Sequence, residues 1–241
     1  MRLDLLVAEK LGVSRTRAQN IIKTGGVKVS GRTEDKPSAE VENDAELVIT
    51  DTLKYASLGG VKMENALRNF HIDLADKVCL DVGAANGGFT DCMLRMGAKI
   101  VSALDLNVAF PDELLSDPRV RVYDKTNVKL VGEVFEPATF DLISVDLSFI
   151  SLNGLFPLFF SLIKEGGSLL VLFKPQFEVG RKFLPKSGVV HDKKAIDKAF
   201  ENVVTSAQNV GFNMVGHCAV PDIFPDKNKE RTILFIKKNN K

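Results

Sequence analysis

The chain has 241 residues, 45% of them hydrophobic and 26% charged, with 32 Lys and Arg against 31 Asp and Glu for a formal net charge of +1. That composition belongs to a folded globular protein, long enough for one large domain or an ordinary domain with a small appendage, and any nucleic-acid partner must be met by a local basic face. The cysteines Cys79, Cys92 and Cys218 form no C-x-x-C pair and are odd in number, which argues against a disulfide framework and a structural zinc, so no metal is expected.

Residues 1–10 interrupt their apolar positions with Asp4 and Glu9 and offer no small-residue cleavage site. They read as part of the fold rather than as a secretory signal, and a cytoplasmic location is expected. Leu3, Leu6, Val7 and Leu11 recur at helical spacing, and Ser14 stands as an N-cap before a second helix with Ala18, Ile21 and Ile22 on one face. Gly25-Gly26 ends that helix; a short strand at 27–29, a turn at Ser30-Gly31, a polar stretch through Pro37 and a closing strand at 46–49 follow. Charge is segregated: Lys10 to Arg32 holds Arg15, Arg17, Lys23 and Lys28 and no acid, whereas acids predominate from Glu34 to Asp51. The run S-R-T-R-A-Q-N-I-I-K-T-G-G-V-K-V-S-G, after an opening R-L-D, closely resembles the RNA-binding module named after ribosomal protein S-four. The resemblance implies a small α+β domain over 1–51 that reads RNA shape through the backbone, with Arg2, Lys10, Arg15, Arg17, Lys23, Lys28 and Arg32 as its RNA-binding residues.

Residues 52–59 read as a linker, and 60–241 as a second domain that opens with a helical pattern through Val61, Leu67 and Phe70. Candidate strands at 78–80, 100–104, 120–122, 142–145 and 169–173 alternate with helical segments near 89–96, 112–115, 128–134, 152–163 and 193–210. Such alternation means an α/β fold with a mostly parallel sheet covered on both faces. Residues 213–219 and 232–237 suggest an antiparallel hairpin at the sheet edge. The most apolar stretch, 155–163, contains Pro157 and is far short of the ~20 residues that span a bilayer, so it reads as a core helix and no membrane role is expected.

At the end of the first of these strands lies Asp81-Val82-Gly83-Ala84-Ala85-Asn86-Gly87-Gly88-Phe89-Thr90-Asp91. Its G-x-x-x-G-G spacing is not the dinucleotide fingerprint and favours a ligand without a pyrophosphate. Asp105, twenty-four positions after Asp81, ends the second strand, where a carboxylate can accept hydrogen bonds from both hydroxyls of a ribose. Together they look like the S-adenosylmethionine site of a Rossmann-like class I methyltransferase. That resemblance implies a cofactor site of Asp81, Gly83, Ala85, Asn86, Gly87, Gly88, Phe89 and Thr90, with Asp81 near the methionine end, Asp105 and Leu106 beyond the second strand, Thr126 and Asn127 beside the adenine, and Asp146.

The fourth strand runs into V-D-L-S-F-I-S-L and the fifth into F-K-P-Q-F-E-V-G-R, so Asp146 and Lys174 should open onto the same crevice. With G-G-V-K-M-E-N-A-L, D-V-G-A-A-N-G-G-F-T-D, Y-D-K-T-N and K-S-G-V-V-H-D, these stretches resemble the TlyA family across nearly the whole chain. Its members carry the historical name hemolysin and act as S-adenosylmethionine-dependent ribosomal RNA 2′-O-methyltransferases. The second domain is also similar to the FtsJ-like group, whose Lys-Asp-Lys-Glu tetrad falls on Lys62, Asp146, Lys174 and Glu230. The sequence departs from the family at Leu58, where Arg is common, at Ala85-Asn86, which replaces Ser-Thr, and at Lys227, where the ending before Glu230 tends to have Gly.

A ribose 2′-hydroxyl is a poor nucleophile until its proton is removed or firmly hydrogen-bonded, so the resemblance makes Lys174 the group touching it, as base if neutral or as orienting donor if charged. Lys62 would favour the neutral form, and Asp146 and Glu230 would oppose that shift. The expected substrate is ribosomal RNA in ribosomal subunits, at a cytidine ribose. Two other functions compete: a membrane-active cytolysin, which would need a lipid-engaging segment, and a non-catalytic RNA-binding factor in ribosome assembly, against which the intact lysines and Asp146 count.

Overall fold

The computed structural model describes residues 1–221 and 228–238. The amino-terminal unit contains α1 (Leu3–Leu11), α2 (Arg15–Lys23), β1 (Val27–Val29), β2 (Arg32–Thr33) and β3 (Leu47–Ile49). Ser14 caps α2 by accepting the Arg17 N–H at 3.2 Å. Leu3 and Val7 of α1 pack with Ala18, Ile21 and Ile22 of α2 over Val27, and β1 lies between β2 and β3, antiparallel to both. Gly26 is where the exit from α2 crosses the end of β3; a Cβ there would lie 2.4 Å from the Thr50 carbonyl oxygen.

The second unit comprises α3 (Gly59–Asn69), β4 (Val78–Val82), α4 (Gly88–Arg95), β5 (Ile100–Leu104), α5 (Asp112–Leu115), β6 (Val120–Tyr123), α6 (Val131–Val134), β7 (Phe140–Val145), α7 (Phe156–Leu162), β8 (Ile163–Phe173), α8 (Pro175–Glu178), α9 (Lys193–Val210), β9 (Phe212–Ala219) and β10 (Arg231–Lys237). Its seven-stranded sheet has the order β6-β5-β4-β7-β8-β10-β9, with β10 antiparallel to both of its neighbours and the remaining pairs parallel.

Pleating divides each strand between two cores. Leu80, Val82, Ile143, Val145, Leu169, Val171, Phe173, Ile233 and Phe235 face α7 and α9, whereas Cys79, Leu142, Leu170, Leu172 and Leu234 face α3 and α4. The last two strands form the expected antiparallel hairpin at the sheet edge, with β9 outermost and β10 inside it. Thr232, Ile233, Leu234 and Phe235 are buried in succession, a pattern that needs cover on both faces, so β10 inserts between β8 and the half-exposed β9. Two expected helices are shorter than their periodicity suggests. Pro157 sits in the first turn of α7, and the chain passes straight into β8 at Ile163; 128–134 splits into a 3₁₀ turn and α6. The connecting residues are no free tether, since Tyr55 and Ala56 are buried against α3 and α4.

Candidate active site

Three loops converge at the carboxyl ends of β4, β5 and β6. Gly83 has φ 86°, and a Cβ on it would lie 2.4 Å from the Asp146 carbonyl oxygen, so the β4–α4 loop presses against the end of β7. Gly88 is equally crowded, with a Cβ 2.3 Å from Ser57 Oγ and 2.7 Å from the Gly60 nitrogen. Asp105 accepts the Ala85 N–H at 3.0 Å on one oxygen and the Asn107 N–H at 2.9 Å on the other. Each oxygen keeps a second lone pair for a ligand hydroxyl. The neighbouring Leu106 is 64% exposed, an apolar surface awaiting cover. The Thr126 N–H donates to the Asp105 carbonyl at 3.0 Å, bringing the third loop alongside. Asn127 spends its side-chain oxygen on the Lys129 N–H at 3.0 Å, as an ordinary turn cap.

Asp81 and Thr90 lie behind this crevice rather than in it. Both are fully buried, with Asp81 accepting Thr90 Oγ1 at 2.7 Å and Ser144 Oγ at 3.2 Å. Burial pushes the Asp81 carboxyl up to about 7, against the lowering effect of those two hydroxyls. With no exposed surface, neither side chain reaches a ligand. The expectation that Asp81 acts near the methionine end becomes one of support: it braces α4 and β7 beneath the loop. The thiols of Cys79 and Cys92 are also buried and pushed up to about 12 by desolvation, so they remain protonated.

The four expected catalytic residues form two ion pairs. Lys174 Nζ lies 2.5 Å from Asp146 Oδ1, off the hydrogen-bonding line, so that this buried oxygen accepts no well-directed hydrogen bond. Lys62 Nζ donates to Glu230 Oε2 at 2.6 Å. Strand register joins the pairs. Arg231 lies opposite Phe173, so the next positions, Glu230 and Lys174, adjoin across β10 and β8, where partners sit about 5 Å apart. Asp146, Lys174 and Glu230 share the pleat parity that faces α3, from which Lys62 reaches down. Asn65 anchors that helix through the Ala219 carbonyl at 3.0 Å. Lys227 lies outside the described residues.

Several neighbours of the tetrad escaped the sequence reading. Lys174 Nζ donates to Ser148 Oγ at 3.2 Å. Phe149 is 91% exposed at φ 66° and leans on Phe177, with ring centroids 5.2 Å apart. Glu178 of α8 accepts Ser151 Oγ at 2.6 Å and the Leu152 N–H at 2.9 Å, pinning the loop that carries Ser148 and Phe149. Their motif strings are visible in the sequence, but nothing in them distinguishes an exposed Phe from a buried one.

In the amino-terminal unit, Lys10, Lys23, Lys28 and Arg32 are exposed. Arg2 and Arg15 bind the buried carboxylate of Asp4 at 3.0 Å each, and Arg17 pairs with Asp51 and donates to the Ala56 carbonyl at 3.1 Å. A cavity of about 830 Å³ lies between this unit and α4 and α5, and none of the tetrad lines it. Its three arginines are neutralised by Asp51, Asp91 and Asp117, so it is a domain seam rather than an anion site. No described helix is long and apolar enough to cross a membrane.

A profile of the FtsJ-like methyltransferases matches residues 55–238, and one of the S4 domain matches residues 1–47. The chain is 36% identical over 228 residues to the 16S/23S rRNA (cytidine-2′-O)-methyltransferase TlyA of Mycobacterium tuberculosis, covering 93% of this chain and 85% of that protein. It is 34% identical over 224 residues to Hemolysin A of Brachyspira hyodysenteriae, covering 92% and 93%. A solved structure titled "Putative hemolysin from Streptococcus thermophilus" superposes with a TM-score of 0.76 at 32% identity, covering 100% of this chain and 89% of that one. The chain belongs to the FtsJ-like methyltransferase family, in its TlyA group with an amino-terminal S4 domain.

Proposed function

We propose that the chain is an S-adenosylmethionine-dependent methyltransferase that modifies a ribose 2′-hydroxyl of ribosomal RNA, at cytidine. The observation that carries this reading is the pair of lysine–carboxylate contacts, Lys174 with Asp146 and Lys62 with Glu230, at the sheet edge beside the glycine loop. The residues present fit the cofactor: Asp105 retains lone pairs for ribose hydroxyls, Leu106 offers apolar cover, and Gly83 and Gly87 adopt left-handed backbone that leaves no side chain over the loop. When bound, the cofactor supplies a methyl carbon already activated by its sulfonium.

The chain's own task is then to hold the hydroxyl in line and to accommodate one proton. Lys174 Nζ faces the ribose oxygen, as base when neutral or as orienting donor when charged, with Ser148 and Asp146 fixing its direction. Asp146 Oδ1, short of a directed hydrogen bond, is the acceptor nearest to that lysine. Lys62 and Glu230 balance the charge, so the crevice holds two cations and two anions. The exposed Phe149 ring beside the tetrad supplies a face on which an unpaired base can stack.

Methyl transfer to purified ribosomal subunits, with 2′-O-methyl mapping in the presence and absence of the protein, tests the function. Lys174→Ala is expected to lower the transfer rate by roughly 10²–10⁴-fold with cofactor affinity unchanged. Full transfer by that variant would remove Lys174 from the mechanism.

A further inference from the structure

Between α8 and the middle of α9 the charge balance of the chain breaks. Residues 181–198 contain six Lys or Arg (Arg181, Lys182, Lys186, Lys193, Lys194 and Lys198) and two acids, in a chain whose totals are 32 against 31. All six cations are exposed. Both acids are committed elsewhere: Asp192 caps α9 by accepting the Ala195 N–H at 3.0 Å, and Asp197 faces Arg231 at 3.8 Å. Lys193 and Lys194 occupy the first turn of α9, next to the capping Asp192, at the helix end where the dipole disfavours cations. The contrast with the amino-terminal unit is direct, since there Arg2, Arg15 and Arg17 already have carboxylate partners.

The segment is tied to the active site at its start and at its middle. At the start, Lys174 leads through the single turn of α8 to Gly180 and the turn Arg181–Phe183. Midway, Asn228 clamps the loop, accepting the Val190 N–H at 2.9 Å and donating to the Gly188 carbonyl at 2.8 Å, two residues before Glu230. Within it, Phe183 and Leu184 are 44% and 39% exposed among the lysines. A cation-rich strip with apolar faces, fixed to the rim of a crevice that must receive a polynucleotide, is complementary to a phosphate backbone.

We propose that residues 181–198 form a second RNA-binding surface, within the methyltransferase domain, which grips the phosphates flanking the target nucleotide. This rests on the reading of the chain as an RNA methyltransferase. RNA is then held by two separate surfaces, and the surface nearer the chemistry sets how the nucleotide enters.

The test compares two full-length double variants that remove the same charge: Lys182→Gln with Lys186→Gln on the strip, and Lys77→Gln with Lys99→Gln at the amino-terminal ends of β4 and β5. Binding to purified ribosomal subunits is titrated across a salt series, with cofactor affinity as the folding control. The strip variant is expected to bind about tenfold more weakly at physiological salt, to show a log–log salt slope shallower by about 2, and to bind cofactor normally. The distal variant should match wild type. Equal RNA binding by the two variants, or a defect confined to vesicles of anionic phosphatidylglycerol, overturns the proposal. If wild type itself transfers no methyl group to ribosomal RNA, the functional reading fails instead, and the wild-type assay separates the two failures.

Discussion

Two buried carboxylates, Asp4 and Asp81, are shifted in opposite directions because their partners differ. Asp4 receives Arg2, Arg15 and Gln19, and the Arg2 hydrogen bonds first of all hold it well below the usual carboxylate range. It contributes stability above about pH 4 that is lost in acid. Asp81 receives the hydroxyls of Thr90 and Ser144 and the Thr90 N–H, and desolvation outweighs them, raising it from 3.8 to about 7. Between those values the folded protein holds a proton that the unfolded chain releases, so stability falls as pH rises through that window. Thermal melts of wild type and Asp81→Asn from pH 4 to 8 should show wild type losing ground to the variant up to about pH 7 and then running parallel. A constant offset would mean that Asp81 is ionised throughout. Both residues are plain in the sequence, but their surroundings are not, because Asp4 meets Gln19 and Asp81 meets Ser144 only after the chain has folded back.

Among the elements, the loop after β7 depends most on a partner distant in sequence. Glu178 occupies one turn of helix beyond Lys174 and holds Ser151 and Leu152. Glu178→Ala should release the loop and lower methyl transfer by tenfold or more, chiefly in kcat, while Glu178→Gln, which still accepts the Leu152 N–H, should recover most of it. Equal losses in both variants would assign Glu178 a charge role instead. Phe149 projects from the same loop. Base stacking on an aromatic ring is worth about 1–3 kcal/mol, so Phe149→Ala should weaken the apparent affinity for RNA roughly 5- to 150-fold with cofactor binding intact. An unchanged KM for RNA would rule out such a platform. The helices around this loop are also the ones whose lengths the periodicity overstates. An apolar run bounded by Pro157 and a buried strand keeps a helical spacing after the helix has ended.

At the level of the whole molecule, the connecting residues serve as packing. Ser57 and Gly60 lie within van der Waals reach of where a Gly88 side chain would be, and Asp91 of α4 accepts the Ala56 N–H at 2.8 Å. Arg17 grips the Ala56 carbonyl from the amino-terminal unit, so α2, the connection and the cofactor loop form one contiguous set of contacts. Gly88→Ala should therefore cost about 1–3 kcal/mol of stability through overpacking and lower cofactor affinity in the same protein. A melt and a cofactor titration check both effects; a neutral outcome in each would show that this junction yields freely.

Local order along the chain was enough for the βα alternation, the S4-type segment, the glycine loop and the four tetrad residues, because a period of two or 3.6 and a motif string are properties of neighbours. The position of β10 inside the sheet, the retreat of Asp81 and Thr90 behind the crevice, the exposure of Phe149 and the clamp of Asn228 on residues 188–190 were not legible there. Each depends on which strand or loop lies alongside. Lys62 and Glu230 are 168 positions apart in the chain yet hydrogen-bonded at 2.6 Å, and only the packing of α3 over the inserted strand β10 brings them together.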